Sequence, residues 1–157
     1  MRLIFKERLF SWFDSYDVYN EYKETVFTVE GKFAWGKELH VNDAGGRHIA
    51  TLKQKIMSFL PAYKLYVGDE CVGTIKKEFT LFKPSFYIDC NGWQVEGNFL
   101  EWDYEVKDAN GGIVATISKK IMNWTDTYVL DIYDDKDAVT VLMVALAIDA
   151  EKARKNN

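Results

Sequence analysis

Apolar and polar residues alternate with a period of two along most of this chain, and near residue 136 the alternation stops. Between 62 and 67, Tyr63, Leu65 and Val67 share one face while Lys64 and Tyr66 share the other, as in a strand with a single buried side. Similar runs, rich in Thr, Ile and Val, are separated by turn-forming clusters at Asp43-Ala-Gly-Gly, Asp89-Cys-Asn-Gly and Asp108-Ala-Asn-Gly-Gly. The pattern predicts strands near 2–8, 14–20, 25–30, 33–42, 48–57, 62–67, 70–78, 84–90, 92–97, 99–107, 113–122 and 126–133. It predicts one helix near 136–153.

That helix holds the longest apolar run, Ala138 to Ile148, AVTVLMVALAI, in which Thr140 alone is polar. Acids precede it (Asp134, Asp135, Asp137) and bases follow it (Lys152, Arg154, Lys155), as the helix dipole favours. A helix apolar on every side is buried on every side. At about 1.5 Å per residue the run spans roughly 16 Å, about half of a bilayer core, so it reads as a helix threaded through the protein.

The strands carry a repeat, visible in IATLKQKIMSFLPAYKL from Ile49, VGTIKKEFTLFKPSFYI from Val72 and VATISKKIMNWTDTYVL from Val114. Counting the first residue as zero, a small residue stands at +1 (Ala50, Gly73, Ala115) and threonine at +2 (Thr51, Thr74, Thr116). Aromatics recur at +10 (Phe59, Phe82, Trp124) and +14 (Tyr63, Phe86, Tyr128). A weaker copy starting at Arg2 places Lys6 at +4, Trp12 at +10, Tyr16 at +14 and Val18 at +16. A longer similarity joins VEGKF (Val29–Phe33) to VEGNF (Val95–Phe99), so the chain holds two related halves built from one hairpin unit.

Twelve strands and one all-round apolar helix have few packing solutions. Closing the sheet on itself removes its edges, and a barrel of that size has an interior wider than strand side chains alone can fill. The expected fold is therefore mainly β: a closed twelve-stranded antiparallel barrel with the apolar C-terminal helix at its centre. The small residues at +1 would let the helix pass close to the wall, and residues 1–157 would form one domain.

Composition narrows the function. Twenty basic and 24 acidic residues leave a net charge of −4, which argues against nucleic acid as a partner. MRLIFKERLF lacks the unbroken apolar core of a signal peptide. Cys71 and Cys90 would lie near the open end of one hairpin, neighbours without being bonded, and read as ordinary thiols of a reduced, cytoplasmic protein. His40 and His48 flank a turn without forming a metal-type pair, and no nucleophile elbow, P-loop or dinucleotide fingerprint occurs. Glu101 and Asp103 share a strand face and read as solvated rather than acid–base groups. Catalytic residues, metal and cofactor are therefore expected to be none.

Lysines are the stronger lead, since Lys53, Lys55, Lys76, Lys77, Lys119 and Lys120 gather at the ends of the repeat's first strands. If those ends converge, they form a candidate patch for anionic head groups. The simpler role is to keep exposed strands soluble, and no arginine, the better phosphate fork, stands beside them. The +10 aromatics are expected to fold over the barrel mouth as a plug, the alternative being contact with a membrane interface. Asp134, Asp135 and Asp137 are explained by capping of the helix. Asp149, late in the helix, is expected to emerge at the mouth or meet a partner there.

The repeated hairpins, the G-x-[IV]-[AG]-T-[IL]-x-[KQ]-K-like segments and the closing helix ending in Ala147-Ile148-Asp149 resemble the LURP-one-related family over roughly residues 2 to 152. That family is similar to the tubby C-terminal domain and the phospholipid scramblases, which share a twelve-stranded barrel around a central helix. The resemblance implies a binding module, with an anionic phospholipid or membrane surface as its partner. A protein-interaction scaffold without a small ligand is the alternative. Tubby domains bind phosphatidylinositol bisphosphate through basic residues on one barrel face, but those residues have no one-to-one match here. Scramblases carry a calcium-associated acidic segment before the closing helix; Asp134, Asp135 and Asp137 stand in a comparable place with a different spacing.

Overall fold

A computed structural model of the chain describes residues 1–6, 15–34, 36–81, 85–98, 103–122 and 125–155. The alternating segments form β1 (Arg2–Lys6), β2 (Ser15–Tyr19), β3 (Thr25–Ala34), β4 (Gly36–Asp43), β5 (His48–Gln54) and β6 (Ala62–Val67). They continue as β7 (Glu70–Lys77), β8 (Ser85–Ile88), β9 (Trp93–Asn98), β10 (Asp103–Lys107), β11 (Ile113–Met122) and β12 (Thr125–Ile132). Each strand pairs antiparallel with the next, and β12 returns to β1, from Arg2 opposite Asp131 to Lys6 opposite Thr127. The sheet is the closed twelve-stranded antiparallel barrel that the alternation predicts.

A 3-10 turn, Asp135–Asp137, leads into α1 (Ala138–Lys155). Asp134 caps that turn by accepting the Lys136 N–H at 3.1 Å. Every residue from Val141 to Ile148 is at most 1% exposed. They share one core with the inward side chains of the wall, among them Leu3, Val41, Leu65, Ile88, Val106 and Leu130. The helix fills the interior as its all-round apolar surface requires. Its backbone comes nearest to β5, which carries Ala50, and β12.

Two local expectations are corrected. A break was expected near residues 31–32, yet β3 runs to Ala34 and β4 begins at Gly36. Gly36 has φ +103°, a backbone conformation that costs glycine little and other residues much. Gly73, expected to make room for the helix, makes room for a neighbouring turn instead: a Cβ there would lie 2.5 Å from the Cys90 Cβ.

The two ends of the barrel are built differently. At one, here the tight end, short turns join β2 to β3, β4 to β5, β6 to β7, β8 to β9 and β10 to β11, and the chain enters α1. The opposite, loop end carries the connections 55–61 and 78–81 among the described residues.

Candidate functional site

On the outer wall, β5, β6 and β7 bring lysines together below the loop end. Lys53 lies opposite Glu38 of β4 on one side and Lys64 of β6 on the other, and Lys76 lies opposite Ala62. Lys55 follows β5 and is exposed. Alternation along each strand turns Lys53, Lys64 and Lys76 outward, because Leu52, Leu65 and Ile75 point into the core. Like charges directly opposite one another repel, and two carboxylates bear on the row, the first being Glu38, which lies 3.5 Å from Lys53 and 2.6 Å from His40. The hydrogen bond to His40, with the Lys53 charge, holds the Glu38 carboxyl below its usual range despite partial burial. Lys76 reaches Asp89 at 3.0 Å, toward the tight end.

The six lysines singled out from the repeat thus divide. Lys53, Lys55 and Lys76 share this wall with Lys64, which spacing alone did not single out. Lys119 and Lys120 stand on β11, halfway round the circuit from β5. Lys77, one residue past Lys76, faces inward. Its ammonium sits 2.9 Å from Glu151 of α1, with the two side chains 17% and 4% exposed. Beside that pair, the Lys152 amine lies 5.1 Å from the Tyr104 ring centroid and 5.7 Å from that of Tyr128. Burial pushes the Tyr104 hydroxyl up to about 12. These groups pin the last turns of the helix to the wall.

The connections above the lysine row are apolar and exposed. Phe59, expected to help plug the mouth, projects fully into solvent, 102% exposed, and Met57 is 90% exposed. Trp12, Phe82 and Trp124, the other rings at +10, lie outside the described residues, as does Glu101. Phe79 and Leu81 are 79% and 80% exposed on the connection after β7. The two connections are tied at their bases, where the Lys77 N–H donates to the Pro61 carbonyl at 3.0 Å.

Polar groups elsewhere are engaged locally. The His40 and His48 rings lie 4.8 Å apart, a contact that their separation in sequence concealed, and His48 Nε2 is 2.8 Å from the Thr51 hydroxyl. A one-residue register shift between Val41 and Asn42 brings them alongside. Cys71 and Cys90 are both exposed and free. Asp149 is half-buried and Asp103 exposed. Asp134 is engaged by Lys136 at 2.8 Å. Among the described residues, no three His, Cys, Asp or Glu side chains are grouped so as to hold a metal ion, and no helix is long and apolar enough to cross a membrane. A surface depression of about 560 Å3 at the tight end is lined by Arg2 and Asp131, which are bonded to each other at 2.7 and 3.0 Å.

Comparison with known proteins places this arrangement. An uncharacterised Bacillus subtilis (strain 168) protein, YxjI, is 29% identical over 150 residues, covering 95% of this chain and 92% of that protein. No solved structure matches the chain. The family model described as LURP-one-related matches residues 1–149, from the first strand of the barrel almost to the end of its central helix, and the chain belongs to that family.

Proposed function

We propose that the protein is a non-catalytic binding module whose partner is an anionic phospholipid surface, approached by the loop end of the barrel. One observation carries this reading: Lys53, Lys55, Lys64 and Lys76 occupy one outer wall immediately below that end. Juxtamembrane lysines contribute about 1 kcal/mol each near an anionic leaflet and act within a Debye length of it. The remainder of the molecule favours the same orientation. Acids stand in the turns of the tight end, with Glu21 and Glu24, Asp43, Asp69, Asp89 and Asp108 among them. A net charge of −4 is therefore distributed so that a negative surface attracts one end and repels the other.

Flotation with vesicles tests the proposal. Vesicles containing phosphatidylglycerol should carry the protein upward at low salt and release it as salt rises, while phosphatidylcholine vesicles leave it behind. Replacing Lys53, Lys55, Lys64 and Lys76 by glutamine should abolish flotation with little change in melting temperature. Absence of binding to anionic vesicles at low salt would sink the proposal.

A further inference from the structure

The loop end presents more apolar surface than charge attraction requires. Ile56, Met57 and Phe59 on the first connection, and Phe79 and Leu81 on the second, are between 58% and 102% exposed. Five exposed apolar side chains on two connections joined at their bases mark an interaction surface. Their mounting is firm. The Lys55 N–H donates to Ala62 at 2.8 Å, the Lys77 N–H to Pro61 at 3.0 Å, and the Glu78 N–H to Ser85 at 2.9 Å, so both connections rise from hydrogen-bonded roots. Ile56 leans back on Gly36, where an added Cβ would stand 3.0 Å from its side chain, and so belongs partly to the rim. Met57, Phe59, Phe79 and Leu81 project beyond it.

We propose that these two connections insert into the interfacial layer of an anionic membrane, with Met57, Phe59, Phe79 and Leu81 as the buried side chains. The proposal rests on the reading in the preceding section and specifies how that surface is engaged. Charge complementarity identifies the occupant: the lysine row lies on the same wall, just below the projecting side chains. Met57 stands two residues beyond Lys55, at most about 7 Å along the chain. That interval falls within the roughly 5–10 Å over which interfacial elements sink their apolar side, so lysines at head-group level and rings below it are mutually compatible. The composition also favours lipid over protein. Protein hot spots are rich in Trp, Tyr and Arg and poor in Leu, whereas Phe and Leu are among the side chains that interfacial membrane elements bury.

Two measurements on the full chain separate this proposal from the one it rests on. The first places a nitroxide at Met57→Cys, and in a second sample at Leu81→Cys, in a Cys71→Ser/Cys90→Ser background. Power saturation on phosphatidylglycerol–phosphatidylcholine vesicles should put both labels below the phosphate level. The second uses Met57→Ser/Phe59→Ser/Phe79→Ser/Leu81→Ser, which should melt as the parent does and partition onto the same vesicles at least about tenfold more weakly, or about 1.4 kcal/mol. Flotation with both labels still in water would overturn insertion while leaving electrostatic binding intact. No flotation of the parent chain at all would overturn both. Self-association of the parent in sedimentation, abolished by the four serines, would replace the membrane with a second copy of the chain and overturn the proposal.

Discussion

The two ends of the barrel solve the same problem, reversing the chain between antiparallel strands, by opposite means. At the tight end the described reversals are short, and most of them consume their own polar groups. Asp43 accepts the N–H groups of Gly45 and Arg47 at 3.0 and 2.9 Å, and Asp108 those of Asn110 and Gly112 at 2.8 and 2.9 Å. Asn20 does the same for Tyr22 and Glu24, each at 2.9 Å. Side chains that bond their own backbone favour tight turns, so the acidity of this end follows largely from turn construction. At the loop end the connections after β5 and β7 are longer, although Ala34 pairs directly with Gly36 and Met122 with Thr125. The roots of those two connections are closed by backbone bonds and by the Ser85 hydroxyl donating to Glu78. Nothing inside the fold uses Met57, Phe59, Phe79 or Leu81. An end whose groups are internally satisfied belongs to the architecture, and an end with unsatisfied apolar surface is where a partner is met.

Both ends hang on one axis, and severing it should produce the largest effect. Leu142 and Leu146 are buried at the centre of α1, 0% and 1% exposed. A carboxylate in place of either loses its hydration at a cost of several kcal/mol, against a total stability of about 5–15 kcal/mol. Leu142→Asp should therefore abolish the cooperative melt and near-ultraviolet dichroism of the whole domain. A soluble Leu142→Asp protein with unchanged melting would show that the helix is peripheral and that the two ends are held independently.

That axis is legible in the sequence, as is the wall around it. An apolar run flanked by acids and bases leaves one solution once twelve alternating segments are available to enclose it. Which lysines gather was less legible, for geometric reasons. Spacing along a strand gives height, but the face depends on parity, so Lys76 is exposed while Lys77 turns inward to Glu151. Position around the barrel depends on strand order, which puts Lys119 and Lys120 far from Lys53. Small register shifts defeat spacing altogether, as between Val41 and Asn42, where a one-residue slip sets His40 beside His48. Phe59 has the same place in its repeat as Phe82 and Trp124, and repeat position says nothing about whether a ring folds inward or projects.

At the loop end, Lys77 and Glu151 join the wall to the helix. Their contact is the described ion pair with both side chains largely shielded, 17% and 4% exposed. Removing one member takes a charged contact from the other in a poorly hydrated place, which costs up to about 3–5 kcal/mol in buried pairs. Lys77→Met should accordingly lower the melting temperature by roughly 6–20 °C, taking about 2–4 °C per kcal/mol for a chain of this size. The double variant Lys77→Met/Glu151→Leu should recover most of that loss, because an apolar pair of similar volume removes both shielded charges. A single variant within about 1 kcal/mol of the parent would mean that water reaches Glu151 and that the loop end is more open than its burial suggests.

The smallest expected effect tests the tight end, through acid. Asp43 is held below its usual carboxyl range first by the Arg47 N–H. Asp131 is lowered first by its bond from Arg2, and Asp134 by Lys136. For Asp89, burial acts upward but is outweighed by Lys76 and the Thr74 N–H. A carboxyl whose pKa is depressed by folding contributes stability above its unfolded value, about 3.9, and loses it as pH falls through the folded value. Stability should therefore be flat from neutral pH to about 5 and decline below about 4. The decline should also be local, since a protonated Asp no longer offers a charge-assisted acceptor. Hydrogen exchange below that pH should show the amides of Gly45, Arg47 and Thr74 losing protection while Tyr22 and Glu24, which donate to the non-titrating Asn20 amide oxygen, retain theirs. Lys55 and Lys77, whose amides donate to backbone carbonyls at the loop end, should behave like the Asn20 turn. Equal loss at the Asp and Asn turns would instead mean that the tight end is held by backbone pairing and that its acids are passengers.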